Sequence, residues 1–230
     1  MKDKVIFIIP AREGSKGFPH KNRVLFNYTL SSILEFDYPI FVTTDDEEIK
    51  SGLLFFNENN KRQITIINRP SKLAQDDTSM KDVLIHAISE IKPSDDTLVV
   101  VLYPTYPQRT GWDIECAIKF MEENNAVSLL CRLEYKGISP YLLMFDQNFG
   151  HDHKTYRGKQ VISGHNLYRR QDYLPVFQIS HYIIAFYPNV LKQLNKNLYN
   201  LSTIFMPIDG VIDIDTKEDY NNYLNKKLKT

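Results

Sequence analysis

The feature of this sequence that most constrains its fold is a regular alternation of short apolar runs with longer amphipathic stretches. The apolar runs are rich in β-branched residues and too short for helices, so they predict strands. The predicted strands cover residues 5–9, 39–43, 64–67, 97–103, 126–131, 176–187 and 211–214. Most of them are apolar on both faces, which is typical of a parallel sheet covered by helices on each side.

The stretches between the predicted strands carry helix signals. Helices are predicted over residues 80–91, 112–123, 189–198 and 216–228, and after the acidic run 45–48. Thr78 or Ser79 can cap the first of these, and Thr110 the second. Strands alternating with helices predict an α/β fold with three layers, α/β/α, around a mostly parallel sheet. Ligands of such a sheet are expected at the carboxyl ends of its strands.

Length, charge and cysteine usage limit the classes of function. The 230 residues suit a single α/β domain covering residues 1–230. Lysine plus arginine equals aspartate plus glutamate at 28 each, so net charge predicts no nucleic-acid or membrane partner. Cys116 and Cys131 fall in a predicted helix and strand, which indicates reduced thiols. We see no secretion signal, and the apolar run 98–103 is far too short to span a bilayer, so a cytoplasmic protein is expected.

Residues 134–175 interrupt the alternating pattern. They are polar, rich in tyrosine and arginine, and show little periodicity. A loop of that length without a function is unusual in a compact domain, which leaves a lid, an insertion or an oligomer arm as alternatives. Because tyrosine and arginine are enriched at interfaces, we expect an insertion that forms a homodimer. Arg170 and Gln171 would then lie near an active-site mouth shared by two protomers.

The loop after the first predicted strand concentrates positive charge and small residues. Residues 5–22 read VIFIIPAREGSKGFPHKN, with Gly14 and Ser15 between the cations Arg12, Lys16 and Lys21. Glycine lets backbone N–H groups approach a ligand closely, and such nests of N–H groups bind anions. The loop therefore predicts a polyphosphate cradle, although it matches neither the Walker loop nor the dinucleotide fingerprint. The alternative is an ordinary solvated turn with incidental basic residues.

Six segments carry a resemblance to a known family. In chain order they are IIPAREGSKGFPHKN (8–22), FVTTDDEEI (41–49), NRPSKLAQDDTS (68–79), LYPTYPQRT (102–110), YRRQDYLPVF (168–177) and IDIDTKEDY (212–220). They resemble the acylneuraminate cytidylyltransferases, the CMP-sialic acid synthetases and their relatives, over nearly the whole chain. The resemblance implies a fold of the nucleotide-diphospho-sugar transferase type, in which residues 134–175 contribute to dimerisation.

The resemblance also implies a reaction. A hydroxyl group of an acidic sugar attacks the α-phosphorus of CTP, giving a CMP-linked product and pyrophosphate. Its motifs assign three groups of site residues in this sequence. The catalytic residues that face the triphosphate are Arg12, Lys16 and Lys21, the nucleotide-binding residues are Ala11, Gly14, Ser15, Asn22, Arg69, Thr78 and Ser79, and the acceptor-binding residues are Tyr103, Arg109, Arg170, Gln171, Ser180 and His181. Arg69 could instead be a solvent-exposed residue at the end of a strand, and Asn22 could be a turn residue.

Asp213 and Asp215 form the candidate metal site. Residues i and i+2 of a strand point to the same side, so both carboxylates can face one hard cation. Mg²⁺ favours one or two carboxylates together with phosphate oxygens and water, which this pair offers. The alternative is that Asp215 caps the following helix, with Glu218 completing a capping box.

Two further constellations give weaker signals. His151-Asp152-His153 resembles a metal site, but it lies in a polar stretch without cysteine partners, which favours a solvated loop. Ser180-His181 resembles a nucleophile and its base, but adjacent residues of a strand point to opposite faces, which argues against a catalytic pair.

The acceptor side departs from the family pattern, whereas the CTP side is intact. Tyr103 stands where sialic acid-activating relatives carry glutamine, and Ser180-His181 replaces their Asn-Gly. A tyrosine in place of an amide changes which polar groups of a sugar can find a partner. N-acetylneuraminate is therefore expected to be a poor acceptor. One alternative is that the acceptor is a related nonulosonic acid, and a second is that it is a non-sugar acid such as a phosphonate. A third is that the protein binds nucleotides without catalysing a reaction.

Overall fold

The computed structural model describes residues 4–146 and 158–228. The strands are β1 (Val5–Ala11), β2 (Ile40–Thr44), β3 (Ile64–Asn68), β4 (Leu98–Val101), β5 (Ser128–Glu134), β6 (Met144–Asp146), β7 (Gly158–Gln160), β8 (Phe177–Phe186) and β9 (Ile204–Pro207). The helices are α1 (Lys21–Ser31), α2 (Glu47–Asn59), α3 (Met80–Ile91), α4 (Gly111–Glu123) and α5 (Lys217–Lys227). Short 3₁₀ helices cover Ser71–Leu73, Pro140–Leu142, Arg170–Asp172 and Pro188–Gln193.

Seven strands form one sheet in the order β3-β2-β1-β4-β8-β5-β9. Only β8 runs antiparallel to its neighbours β4 and β5, and the other four pairs are parallel. The predicted α/β architecture with a mostly parallel sheet is therefore confirmed. Because β1 lies between β2 and β4, the loop that follows it opens among the carboxyl ends of three parallel strands, where ligands of such sheets bind.

The sheet is buried on both faces, as its apolar strands predict. Phe7 and Ile9 of β1 pack with apolar residues of α1, α2 and α4, whereas Ile6 and Ile8 pack with α3 and the segment around Leu191. Burial of one such side chain stabilises the fold by about 1.5–3 kcal/mol. This packing holds β1 rigid, and the rigid strand in turn fixes where its loop begins.

Side chains cap the helices largely as the sequence predicts. Asp46, Ser79 and Thr110 accept hydrogen bonds from first-turn N–H groups of α2, α3 and α4. Helix α1, which we did not predict, begins differently. It follows His20 in the left-handed conformation (φ 55°), with no side-chain cap and no acidic residue in its first turn. The positive end of its dipole is therefore not neutralised by an acid of its own first turn.

Two predicted elements are wrong, and β9 was missed. Residues 189–198 form only the 3₁₀ helix Pro188–Gln193, because the backbone becomes extended at Leu194. Residues 211–214 form no strand. After the turn at Gly210 (φ 68°) the chain leaves the sheet, and buried Ile214 packs in a small cluster with Phe18 and Tyr223.

The segment 134–175 contains the antiparallel pair β6–β7, which forms a separate two-stranded sheet.

Within residues 4–146 and 158–228, every helix is too short or too polar to cross a membrane.

Candidate active site

A cleft lies at the carboxyl ends of β1 and β4 and gathers most of the predicted CTP-side residues. The cavity has a volume of about 170 Å³. Its predicted lining residues are Arg12, Gly14, Ser15, Lys21, Asn22, Arg69 and Tyr103, and the others are Pro10, Met80, Pro104 and Thr105. The sheet topology thus brings residues from four separate stretches of sequence to one opening.

The basic loop already holds one negative charge. Asp76 bridges two of its cations, with Oδ1 at 2.8 Å from Nη2 of Arg12 and Oδ2 at 2.5 Å from Nζ of Lys16. Hydrogen bonds from Lys16 first, and then from Arg12, lower the pKa of Asp76. No local sequence pattern marks Asp76 as a site residue, although it lies in the segment 68–79. The arrangement shows that Arg12 and Lys16 can converge on a single anionic group.

The first turn of α1 supplies the other side of the cradle. Nζ of Lys21 lies 2.7 Å from Oδ1 of Asp215, and its side chain is only 13% exposed. Asn22 donates a hydrogen bond of 2.8 Å from Nδ2 to the carbonyl oxygen of Arg12. Asn22 therefore fixes the backbone of the basic loop, and Lys21 and Asn22, the first two residues of α1, both line the cavity.

A second network, missed in the sequence, ties the loop to α2. Arg23 of α1 pairs with Glu13 of the loop (2.9 Å), with buried Asp46 (2.7 Å) and with Glu48 of α2 (2.5 Å). The backbone N–H of Glu13 also donates to Asp45 (3.1 Å). These contacts hold the loop from outside the cleft.

Arg69 is the most buried cation of the cleft. Its Nη2 donates a hydrogen bond of 2.8 Å to the carbonyl oxygen of Thr43 in β2. Burial lowers the pKa of Arg69 to about 10, with the charge of Asp45 acting in the opposite direction and that of Arg12 in the same direction. The guanidinium stays charged at neutral pH, so a positive group is held in a site with restricted solvent.

Asp213 and Asp215 lie beside this cradle although they are not on a strand. Tyr106 donates a hydrogen bond of 2.8 Å to Oδ2 of Asp213. Asp213 is exposed as a residue, but loss of solvent around its carboxylate raises the pKa of that group. Hydrogen bonds from Thr105 and Tyr106 lower the pKa, whereas the negative charge of Asp215 raises it further. The two carboxylates therefore interact electrostatically.

The capping alternative for Asp215 is wrong. Thr216 caps α5, and Asp219 rather than Glu218 completes the capping box. The carboxylate of Asp215 is instead paired with Lys21.

Gly17 explains how the loop and the Asp215 segment come so close. A Cβ atom at Gly17 would lie 2.9 Å from the carbonyl oxygen of Asp215, which is closer than real contacts allow. Only glycine permits this approach.

Tyr103 lines the cavity and contacts His181, which follows Ser180 in β8. The rings of Tyr103 and His181 stack, with centroids 5.7 Å apart and an angle of 17° between their planes. His181 Nε2 lies 3.1 Å from the carbonyl oxygen of Asn197, while Ser180 is buried and accepts from the N–H of Tyr182. The two residues do point in different directions, as predicted.

The structure does not bring Arg109 to the opening. Arg109 is 3% exposed, and its Nη atoms donate to the carbonyl oxygens of Tyr182 (2.6 Å) and Tyr103 (2.8 Å) and to Oγ1 of Thr29 (2.9 Å). Burial lowers its pKa to about 10. The geometry thus gives Arg109 a structural part and does not support the predicted acceptor contact.

The remaining predicted residues lie outside the cavity. Ala11 is buried in β1. Ser79 caps α3, and Thr78 donates to the carbonyl oxygen of Lys72. Arg170 lines a different cavity of about 610 Å³, formed by residues between 134 and 176, and Gln171 is exposed beside it.

No candidate metal site beyond Asp213 and Asp215 emerges from the part of the chain that the structure describes. Within it, no three histidine, cysteine or carboxylate side chains are grouped as metal ligands. His151-Asp152-His153 lies outside the described residues.

Comparison with known proteins agrees with this geometry. The model of the cytidylyltransferase family matches residues 6–221. An N-acylneuraminate cytidylyltransferase of Streptococcus agalactiae serotype V is 27% identical, over 94% of this chain and 52% of the relative. One of Escherichia coli O18:K1:H7 is 32% identical over 53% of this chain and 29% of the relative. The chain thus spans about half the length, or less, of these curated relatives.

Solved structures share the fold. A CMP:2-keto-3-deoxy-manno-octonic acid synthetase complexed with CTP has a TM-score of 0.69 at 16% identity, covering 99% of both chains. A 4-diphosphocytidyl-2C-methyl-D-erythritol synthase from Anaerococcus prevotii has a TM-score of 0.58 at 13% identity, over 99% and 96%.

The fold, the cleft and these similarities together place the chain in the class of nucleotidyltransferase-type α/β domains. Within this class, the family match over most of the chain is decisive. The chain belongs to the cytidylyltransferase family.

Proposed function

We propose that this protein is a CTP-dependent cytidylyltransferase that activates an acidic sugar of the nonulosonic acid type. In the reaction, a hydroxyl oxygen of the sugar forms a bond to the α-phosphorus of CTP, and the bond to the β-phosphate oxygen breaks. Pyrophosphate leaves, and the hydroxyl proton is lost to solvent or to a base. The observation that carries the proposal is the convergence of Arg12, Lys21 and Arg69 on one cleft beside two carboxylates.

The cations would stabilise the charge of the triphosphate. Phosphoryl transfer depends mainly on positioning and on electrostatic stabilisation, which arginine, lysine and backbone N–H groups supply. Arg12 and Lys16 already share one carboxylate, Asp76, and phosphate oxygens of CTP would replace it. Arg69, deeper in the cleft, would contact the nucleoside part.

Asp213 and Asp215 are chemically suited to hold Mg²⁺. The negative charge of Asp215 contributes to the raised pKa of Asp213, and a divalent cation shared by the two carboxylates would relieve this repulsion. Phosphate oxygens and water can complete the coordination of the cation. When bound, Mg²⁺ would neutralise negative charge on the phosphates and on the leaving pyrophosphate.

A cytoplasmic location, where CTP is available, belongs to the same proposal.

The names of the relatives favour an acidic sugar as acceptor, since both N-acylneuraminate and 2-keto-3-deoxy-manno-octonic acid carry a carboxylate. Surface-glycan assembly is the pathway class that consumes such CMP-sugars. The stacked pair Tyr103–His181 occupies the wall where an acceptor would lie, and it differs from the family pattern.

Release of pyrophosphate is the direct test of this proposal. We expect turnover with CTP and an acidic sugar, at least about tenfold faster at equal concentration than with UTP, ATP or GTP, because a site that pairs a polar base edge rejects the wrong one. The assay combines the four nucleotides with a panel of nonulosonic acids, a phosphonate and a neutral sugar.

The same assay separates the alternatives. Turnover with the phosphonate alone would identify a non-sugar acceptor. CTP binding without pyrophosphate release from any acceptor would indicate a non-catalytic relative. Equal turnover with all four nucleotides would contradict the preference for cytosine.

We further propose a homodimer formed through residues 134–175. Within the described part of this segment and the start of β8, many large apolar side chains are exposed. They include Tyr135, Ile138, Leu142, Leu143, Met144, Val161, Leu167, Tyr168, Leu174, Phe177 and Ile179. Concentrated exposure of this kind marks interaction surfaces, and a partner would bring Arg170 and Gln171 to a neighbouring active site.

Light scattering on the eluting protein tests the dimer. We expect twice the mass of one chain at micromolar concentration, and a shift toward the monomer for Leu174→Asp. Phe55→Asp on α2 is the matched control, because Leu174 and Phe55 are equally exposed at 69%. A native protein that elutes as a monomer would refute the proposal.

A further inference from the structure

Tyr106 is a buried tyrosine whose hydroxyl group reaches one of the two candidate metal ligands. It lies in the segment PTYPQR, residues 104–109, on the loop after β4. The side chain is 3% exposed, and its hydroxyl lies 2.8 Å from Oδ2 of Asp213. The two residues are 107 positions apart, so only the fold brings them together.

The surroundings of Tyr106 hold its ring in one place. The ring packs edge-on against that of Tyr182, with centroids 5.5 Å apart and an angle of 87°. The Ser180 side chain interacts with the same hydroxyl group that contacts Asp213. The hydroxyl is therefore fixed from both sides.

Asp213 has few other constraints on its position. It lies on a segment that belongs to no strand, and it is exposed. Two hydrogen bonds fix the chain on either side of Asp213 but not its carboxylate. The N–H of Ile214 donates to the carbonyl oxygen of Thr105 (2.9 Å), and the side-chain amide of Gln108 donates to the carbonyl oxygen of Ile212 (2.8 Å). The carboxylate itself is held by Tyr106, with a further hydrogen bond from the Thr105 side chain.

We propose that Tyr106 is a positioning residue for Mg²⁺ binding, which it promotes by orienting the Asp213 carboxylate. The inference rests on the proposed function. A tyrosine hydroxyl donates one hydrogen bond, so it occupies one lone pair of Oδ2 and leaves the rest of the carboxylate for a cation. Partners of this kind restrict the ligand to the binding orientation, and their removal costs about 10–100-fold in metal affinity.

Tyr182 offers a matched control. It is also 3% exposed, and its hydroxyl also donates a hydrogen bond of 2.8 Å to an aspartate, Asp113 of α4. Asp113 belongs to a helix cap and not to the cleft. Tyr106→Phe and Tyr182→Phe therefore remove the same kind of bond from the same depth, and only one of them touches a candidate metal ligand.

The test measures how much Mg²⁺ tightens the binding of CTP, by calorimetry without acceptor so that no turnover occurs. For Tyr106→Phe we expect CTP affinity without Mg²⁺ to be unchanged. The gain, which is the factor by which Mg²⁺ increases CTP affinity, should fall by about tenfold or more. Tyr182→Phe should retain the native gain. In an Asp213→Asn background, Tyr106→Phe should add no further loss, because Tyr106 acts through that carboxylate.

Each other outcome contradicts the inference in a recognisable way. The inference would be overturned if Mg²⁺ increased the CTP affinity of Tyr106→Phe as much as that of the native protein, or if both phenylalanine variants lost the Mg²⁺ effect equally. Either result would leave the proposed function intact. A native protein whose CTP binding does not respond to Mg²⁺ would overturn the metal pair itself and this inference with it. Thr105→Val, which removes the second hydrogen bond to Asp213, should reduce the gain in the same direction, and it serves if Tyr106→Phe does not fold.

Discussion

Replacing either carboxylate of the candidate metal pair by an amide is expected to lower turnover by about 100–1,000-fold, the range typical for loss of one group that stabilises transition-state charge. The variants are Asp213→Asn and Asp215→Asn, measured by pyrophosphate release across a series of Mg²⁺ concentrations. The amide keeps an acceptor for Tyr106 or Lys21, so the fold should survive.

Asp209→Asn is the control for this prediction. Asp209 is an exposed aspartate of the same C-terminal stretch, and its carboxylate accepts only a local hydrogen bond from Gly210 among the contacts of the described residues. Its replacement should leave turnover within about twofold of the native rate, since surface substitutions have small effects. Near-native turnover of a folded Asp213→Asn or Asp215→Asn protein at saturating Mg²⁺ would show that the pair does not bind the metal.

The second large effect concerns the acceptor. We expect N-acetylneuraminate to be used about 100–10,000-fold less efficiently than the best acidic acceptor, because two polar contacts are lost and each costs about 10–100-fold. Tyr103 offers a bulky ring stacked on His181 where an amide would offer a donor and an acceptor. The ratio of kcat/KM for the two acceptors measures this.

A combined variant tests the cause. Tyr103→Gln with Ser180→Asn and His181→Gly should raise kcat/KM for N-acetylneuraminate relative to kcat/KM for the best acidic acceptor. Tyr199→Gln is the control, because Tyr199 is also half-buried and also contacts an aromatic ring, that of Phe205, but lies outside the cleft. Efficient use of N-acetylneuraminate by the native protein would show that these positions do not select the acceptor.

Local signals in the sequence were sufficient for elements whose ends and faces are marked by side chains. The α3 prediction matches the structure residue for residue, since Ser79 caps the helix and Val83, Leu84 and Ala87 are buried. Helix α1 has no cap and begins after a left-handed residue, so no such mark exists. The strand predicted over 211–214 shows the limit of apolar pattern, because Ile214 is buried in a side-chain cluster rather than in the sheet.

The site was predictable to the extent that its residues lie in one loop. Arg12, Gly14, Ser15 and Lys21 do line one cavity, together with Arg69 from a distant strand end. Tyr106 and Asp76 were missed because their parts depend on partners far away in sequence, which no local pattern indicates. Arg109 shows the converse. The motif predicts an acceptor contact for this arginine, but its guanidinium donates to backbone carbonyl oxygens in the interior.

The contact between the first loop and the Asp215 segment has a consequence for how the protein is made. Lys21 and Asp215 are 194 positions apart, and Gly17 touches the same segment. Chains are synthesised from the amino terminus, so β1 to β4 can pair before residue 215 exists. The emerging chain then contains the cradle but not its acidic counterpart. A chain synthesised only as far as residue 212 therefore lacks both carboxylates of the proposed metal pair, and we expect a ribosome-bound fragment of that length to release no pyrophosphate from CTP even when its sheet has formed.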